Sequence, residues 1–106
     1  MKKIEVVKDQ REFDSIIKTS PFEKNKYFLL YNKESDVNFP RFGIAVGTKV
    51  GNAVTRNRLK RQIRAIIDKN KKLFSNHRDY IIIVKRNCLE ISFHEMEQNL
   101  ISLIKG

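Results

Sequence analysis

The sequence has no tryptophan, one cysteine, two prolines and two histidines, and its 12 acidic residues are outnumbered by 22 Lys and Arg. A single cysteine, Cys88, excludes an internal disulfide. With His77 and His94 standing apart from any spaced Cys/His partners, the ligand pattern of a zinc site is missing as well. These three residues read as structural or incidental. No apolar run approaches the roughly 18 residues of a membrane-spanning helix, and the longest, Tyr80 to Val84, suits a strand. The opening "MKKIEVVKDQ" turns polar before any hydrophobic segment develops, so no signal peptide is expected. Together with the lone cysteine this points to the cytoplasm. At 106 residues, without repeats, low-complexity tracts or linkers, the chain reads as one domain, 1–106.

The shortage of acid is local. Between Arg41 and Lys72 stand ten Lys or Arg and one Asp, so this segment carries nine of the ten net positive charges. A charge of +10 on so small a chain calls for an anionic partner: nucleic acid, an anionic membrane or an acidic protein.

Periodicity places this segment in the fold. Asp9 with Glu12 three residues on is a capping-box-like start for a short helix to about Thr19, with Phe13, Ile16 and Ile17 on one face. "KYFLLYN" (Lys26 to Asn32) and "RFGIAVG" (Arg41 to Gly47) read as strands joined by a polar turn, and the expectation is an antiparallel hairpin. In the first strand Tyr27, Leu29 and Tyr31 share a face and Phe28 points the other way. From Asn52 or Ala53 to Leu73 the period becomes helical. Leu59, Ile63, Ile66, Ile67, Leu73 and Phe74 fall within an arc of about 120°, the width of a core-facing stripe. Asn57, Arg58, Lys60, Arg61, Arg64 and Lys71 lie opposite. "DYIIIV" (Asp79 to Val84) does not alternate, as expected of a strand covered on both faces. Ser92 and Glu95 form a capping box for a last helix with Phe93, Met96, Leu100, Ile101, Leu103 and Ile104 as its apolar set.

A merely solvated helix face would mix signs, because like charges at i and i+4 are destabilising. Here Lys60 is four residues before Arg64, and no carboxylate lies between Lys49 and Arg64. Arginine's planar fork suits bidentate phosphate contact, and Lys49, Gly51 and Asn52 precede a helix N-terminus that attracts anions. A membrane-surface role is disfavoured, since the apolar stripe lacks Trp and is needed to cover the sheet. No nucleophile, base or carboxylate cluster stands at a recognisable catalytic spacing, so no protein-borne catalytic or metal residues are assigned. The residues alone describe a small RNA- or DNA-binding α/β domain. A ribosomal or RNA-chaperone-like binding module is the alternative, and a self-sufficient nuclease a weaker one.

"VGNAVTRNRLKRQIR", with its Arg56-Asn57-Arg58 signature, resembles the protein subunit of bacterial ribonuclease P. "RFGIAVGTK" before it, "DYIIIVKR" after it and "FLLY" at Phe28 to Tyr31 keep the family's order and spacing. The resemblance implies an α+β or α/β two-layer sandwich. Its mixed, four-stranded sheet and three helices run in the order α-β-β-(β)-α-β-α, with a left-handed crossover around the Arg-Asn-Arg helix. The fourth strand is expected near "PFEK" or the hairpin. The resemblance also implies that a large RNA, using magnesium ions that it mainly holds itself, removes the 5′ leader of precursor tRNA while the protein assists. The implied partners are the RNA subunit and precursor tRNA, with no membrane and no obligate protein partner. Lys49, Asn52, Arg56, Asn57, Arg58, Lys60, Arg61 and Arg64 would form the RNA-contact surface. Phe13, Ile17, Tyr31 and Arg86 would line or border a cleft for the single-stranded leader. The family often has an aromatic residue where Ile17 stands.

Overall fold

The computed structural model describes residues 6, 7 and 9–105. Asp9 caps the first helix, α1 (Gln10–Thr19), by accepting a hydrogen bond from the Arg11 N–H at 2.8 Å. Glu12 does not close the expected capping box but reaches Arg41 instead. The chain then forms β1 (Phe22–Lys24), β2 (Phe28–Glu34), β3 (Arg41–Val46), α2 (Ala53–Lys69), β4 (Arg78–Val84) and α3 (Phe93–Lys105). Short 3-10 turns at Lys71–Leu73 and Arg86–Glu90 follow α2 and β4. The helical stripe therefore breaks at Asn70, and Leu73 is half-buried beyond the helix proper.

The sheet order is β1-β2-β4-β3. The expected hairpin between the strands at 28–34 and 41–46 does not form. β4 lies between them, antiparallel to β2 and parallel to β3, with α2 as the crossover. The physical reason is burial. The unalternating run Tyr80, Ile81, Ile82, Ile83, Val84 needs cover on both faces and a neighbour at both edges, which only a central strand has. The fourth strand is β1, in "PFEK", paired antiparallel to β2 with Phe22 opposite Tyr31.

Registers sort side chains onto two faces, because residues two apart on a strand share a face. One face, with Phe28, Leu30, Phe42, Val46, Tyr80, Ile82 and Val84, meets Leu59, Ile63, Ile66 and Ile67 of α2 and Met96, Leu100 and Leu103 of α3. Each fully buried side chain there contributes about 1.5 to 3 kcal/mol of transfer free energy. Phe42, Phe74 and Tyr80 stack edge and face within 4.8–5.8 Å. The reciprocal Ser92–Glu95 capping box forms as read, with Glu95 N–H donating to Ser92 Oγ at 3.1 Å and Ser92 N–H to Glu95 Oε1 at 3.2 Å. Glu97, buried on α3, accepts from Lys69 Nζ at 3.2 Å and Asn70 Nδ2 at 3.0 Å, tying α3 to the end of α2.

On the opposite face lies α1, whose Ile16 joins Val7 and Ile81 in a second cluster with Phe13, Ile17, Tyr31 and Ile83 against it. Gly43 makes this packing possible. A Cβ there would stand 2.9 Å from Phe13 Cε2 and 2.7 Å from Ile81 Cδ1, inside the closest contact either ring or methyl tolerates.

Candidate nucleic-acid interface

Two surfaces meet at one end of the sheet. β3 and β4 run parallel, so their C-terminal ends at Val46 and Val84 are side by side. Val46 leads to Lys49 and the start of α2, and Val84 leads through Lys85 to the exposed Arg86. Asn52 is the N-cap, its side-chain carbonyl accepting from Thr55 N–H at 2.9 Å. The first turn of α2 contains no acidic residue, so the positive end of the helix dipole is uncompensated.

Of the basic residues between Arg41 and Lys72, three are tied to carboxylates. Lys69 pairs with Glu97, Lys71 lies 4.0 Å from Asp68, and Arg41 is held by two acids. Arg41, counted in the net charge of this segment but not among the expected RNA contacts, is neutralised by these acids. Its Nε donates to Asp79 Oδ1 at 2.8 Å, and its Nη2 donates to Asp79 Oδ2 at 2.6 Å and to Glu12 Oε2 at 2.8 Å. The bidentate hydrogen bonds to Asp79 are the main reason the guanidinium holds its proton even more tightly than usual. No carboxylate pairs, among the described residues, with Lys49, Arg56, Arg58, Lys60, Arg61, Arg64 or Lys72. Asn57, Arg58, Arg61 and Arg64 are exposed on α2, while Arg56 donates from Nε to the Gly51 carbonyl at 3.2 Å, which braces the turn before the helix. A row of guanidinium groups without carboxylate partners on one helix offers the planar, bidentate donors that suit phosphate oxygens.

The structure brings Phe13, Ile17 and Tyr31 together as the sequence resemblance implies, in the cluster beneath α1. Phe13 lies over Gly43 and Ile81. Along this face the next row of the sheet is Ala45, Ile83 and Leu29, all half-buried, and it leads toward the end that bears Lys49 and Arg86. The result is an apolar shelf beside α1 that opens at the basic end. Arg86 is not part of the apolar cluster; it stands at the mouth. On the other flank of α1 a cavity of about 720 Å³ has walls of both signs, Arg11 and Lys33 against Glu34 and Asp36, unlike a channel for a polyanion.

Sequence reasoning missed Phe22. This ring is 52% exposed, and its centroid is 5.4 Å from that of Tyr31, tilted by 42°. The available signal was Pro21-Phe22-Glu23-Lys24 as an edge strand, which would have set Phe22 opposite Tyr31. Tyr27 instead packs against the larger core. Cys88 is buried and donates to the Tyr27 carbonyl at 3.3 Å. Burial pushes its thiol up to about 11, so it is a core residue and not a nucleophile. Among the described residues no three His, Cys, Asp or Glu side chains gather as metal ligands, and no helix is long and apolar enough to cross a membrane.

Comparison with known proteins agrees with this geometry. The family model for ribonuclease P matches residues 1–106. The ribonuclease P protein component of Mycoplasma mycoides subsp. mycoides is 40% identical over 106 residues, covering 99% of this chain and 97% of that protein. Among solved structures, the RNase P protein from Thermotoga maritima superposes with a TM-score of 0.87 at 28% identity, covering 95% of this chain and 96% of that one. An RNase P protein structure from Staphylococcus aureus gives 0.89 at 27% identity, covering 95% and 93%. By sequence over its whole length and by its three helices on a mixed four-stranded sheet, the chain belongs to the ribonuclease P protein family.

Proposed function

We propose that this chain is the protein subunit of a cytoplasmic ribonuclease P ribonucleoprotein. In this role it assists the RNA subunit in endonucleolytic removal of the 5′ leader from precursor tRNA. Two surfaces divide the work. The unpaired face of α2, with Arg56, Asn57, Arg58, Lys60, Arg61 and Arg64 and with Lys49 and Asn52 at its entrance, neutralises and orients RNA phosphates. The shelf formed by Phe13, Ile17 and Tyr31, with Arg86 at its mouth, takes the single-stranded leader.

The observation that carries this reading is the continuity of an apolar, partly aromatic shelf with the stretch of α2 from Arg56 to Arg64, whose basic side chains pair with no carboxylate among the described residues. A single strand differs from a duplex in exposing base faces beside its phosphates. A site offering apolar surface and cations together therefore selects it with little regard to sequence. Magnesium ions held mainly by the RNA would supply the phosphodiester chemistry. The chain's own residues bind, orient and screen charge, and they need no further protein partner for this.

Reconstitution tests the proposal. Precursor tRNA with magnesium should be cleaved when the RNA subunit and this chain are combined, and not by the chain alone. Cleavage by the purified chain without RNA would overturn it in favour of a protein nuclease. RNA binding with no effect on cleavage would favour a plain binding module.

A further inference from the structure

We infer that Phe22, with Lys24 beside it, forms an additional nucleotide position at the open edge of the cleft and takes one unpaired base of a single-stranded RNA. The inference rests on the leader reading above and extends it to β1.

The register fixes the geometry. Gly43, Ile81, Tyr31 and Phe22 lie in one row across the four strands, on the face that carries α1. Phe13 covers the Gly43 end and Ile17 packs in the same cluster as Tyr31, but Phe22, outermost, is left half open to solvent. Its tilt of 42° against Tyr31 turns the two rings into a shallow angle and leaves a face of Phe22 unstacked. Lys24 is two residues along β1, hence on the same face and about 7 Å away at strand rise. It is exposed and has no carboxylate partner among the described residues. Glu23 projects from the opposite face. The edge of the shelf therefore presents an aromatic plane and a cation side by side, the pair of groups that one nucleotide offers a base and a phosphate to.

A purely structural role for Phe22 would be a cross-strand aromatic pair pinning a three-residue edge strand. That role needs apolar contact with Tyr31, not a free ring face, so a leucine should largely serve it. A base position needs the ring.

The test uses the reconstituted holoenzyme and precursor tRNAs whose leaders are shortened one nucleotide at a time. Phe22→Leu should weaken binding of long-leader precursors roughly five-fold or more, the lower range for loss of one stacked base. The loss should vanish once the leader is trimmed past one particular nucleotide. Mature tRNA should bind unchanged, and Phe22→Trp should retain long-leader affinity. Lys24→Ala should reduce the salt dependence of binding for long leaders alone. A Phe22→Leu effect that is absent, or equal at every leader length and on mature tRNA, would overturn the inference. If Tyr31→Ala still lowers leader affinity in that case, only the edge position fails; if it does not, the leader reading fails too.

Discussion

Removal of the Arg41 side chain is the perturbation whose size the structure fixes best. Asp79 has 7% of its side chain exposed and both its oxygens are held by the one guanidinium, so Arg41→Ala strands a buried carboxylate. Breaking a fully buried pair costs about 3 to 5 kcal/mol. Arg41 is itself 21% exposed and Asp79 borders the solvent-open cavity, so hydration relieves part of this, and about 2 to 3 kcal/mol is expected. For a domain of this size that is a fall in Tm of roughly 10 to 20 °C. The second acid behaves differently. Glu12 is 46% exposed, so Glu12→Gln should cost only about 0.2 to 1 kcal/mol. Urea or thermal unfolding of both variants measures the contrast. An Arg41→Ala loss below about 0.5 kcal/mol, or a Glu12→Gln loss as large as that of Arg41→Ala, would refute the assignment of Arg41 as a structural clamp withdrawn from the RNA-binding charge.

Two further outcomes follow from the charges. Arg61→Ala and Arg64→Ala should each lower the log–log salt slope of RNA binding by roughly 0.7 to 0.9 if each meets one phosphate, whereas Arg41→Ala, where folded, should leave the slope alone. Unchanged slopes in Arg61→Ala and Arg64→Ala would remove those residues from the interface. The Asn70 hydrogen bond and then Lys69 hold the Glu97 carboxyl below its usual range, against the opposing effect of burial. A carboxyl lowered on folding contributes stability above its unfolded pKa of about 4.3 and loses it as pH falls through the lower folded value. Glu97→Gln should thus melt below the native chain at pH 7, with the gap closing under about pH 4; a gap that persists in acid would contradict stabilisation of the ionised carboxylate by Asn70 and Lys69.

Much of the fold was legible because its signals are local. The stripe Leu59, Ile63, Ile66, Ile67 and the Ser92–Glu95 box are properties of neighbouring residues, and both appear as read. The pairing of strands is not local. A polar turn between 28–34 and 41–46 resembles a hairpin, yet the more strongly apolar β4, arriving some forty residues later, displaces that pairing. β1 carries three exposed residues and no burial pattern, so its residues alone do not mark it; the family resemblance narrows it to "PFEK" or the hairpin, and pairing with β2 decides between them. The same limit governs the site. The unpaired charge on Arg58 and Arg61 follows from sequence spacing, since nothing acidic lies within four residues of either, whereas Arg64 has Asp68 one turn on and only the structure shows that the two do not pair. The neutralisation of Arg41 by Asp79 requires the parallel register that sets the two strand starts opposite each other. The placing of Phe22 beside Tyr31 likewise needs the β1–β2 register.

The most direct test of the central claim is the ratio of affinities for precursor and mature tRNA in holoenzyme reconstituted with Tyr31→Ala. Loss of one stacked base should weaken precursor binding by about 1 to 3 kcal/mol and leave mature tRNA unaffected, so the ratio collapses toward one. Equal weakening of both tRNAs, or an undiminished ratio, would contradict a leader cleft between α1 and the sheet.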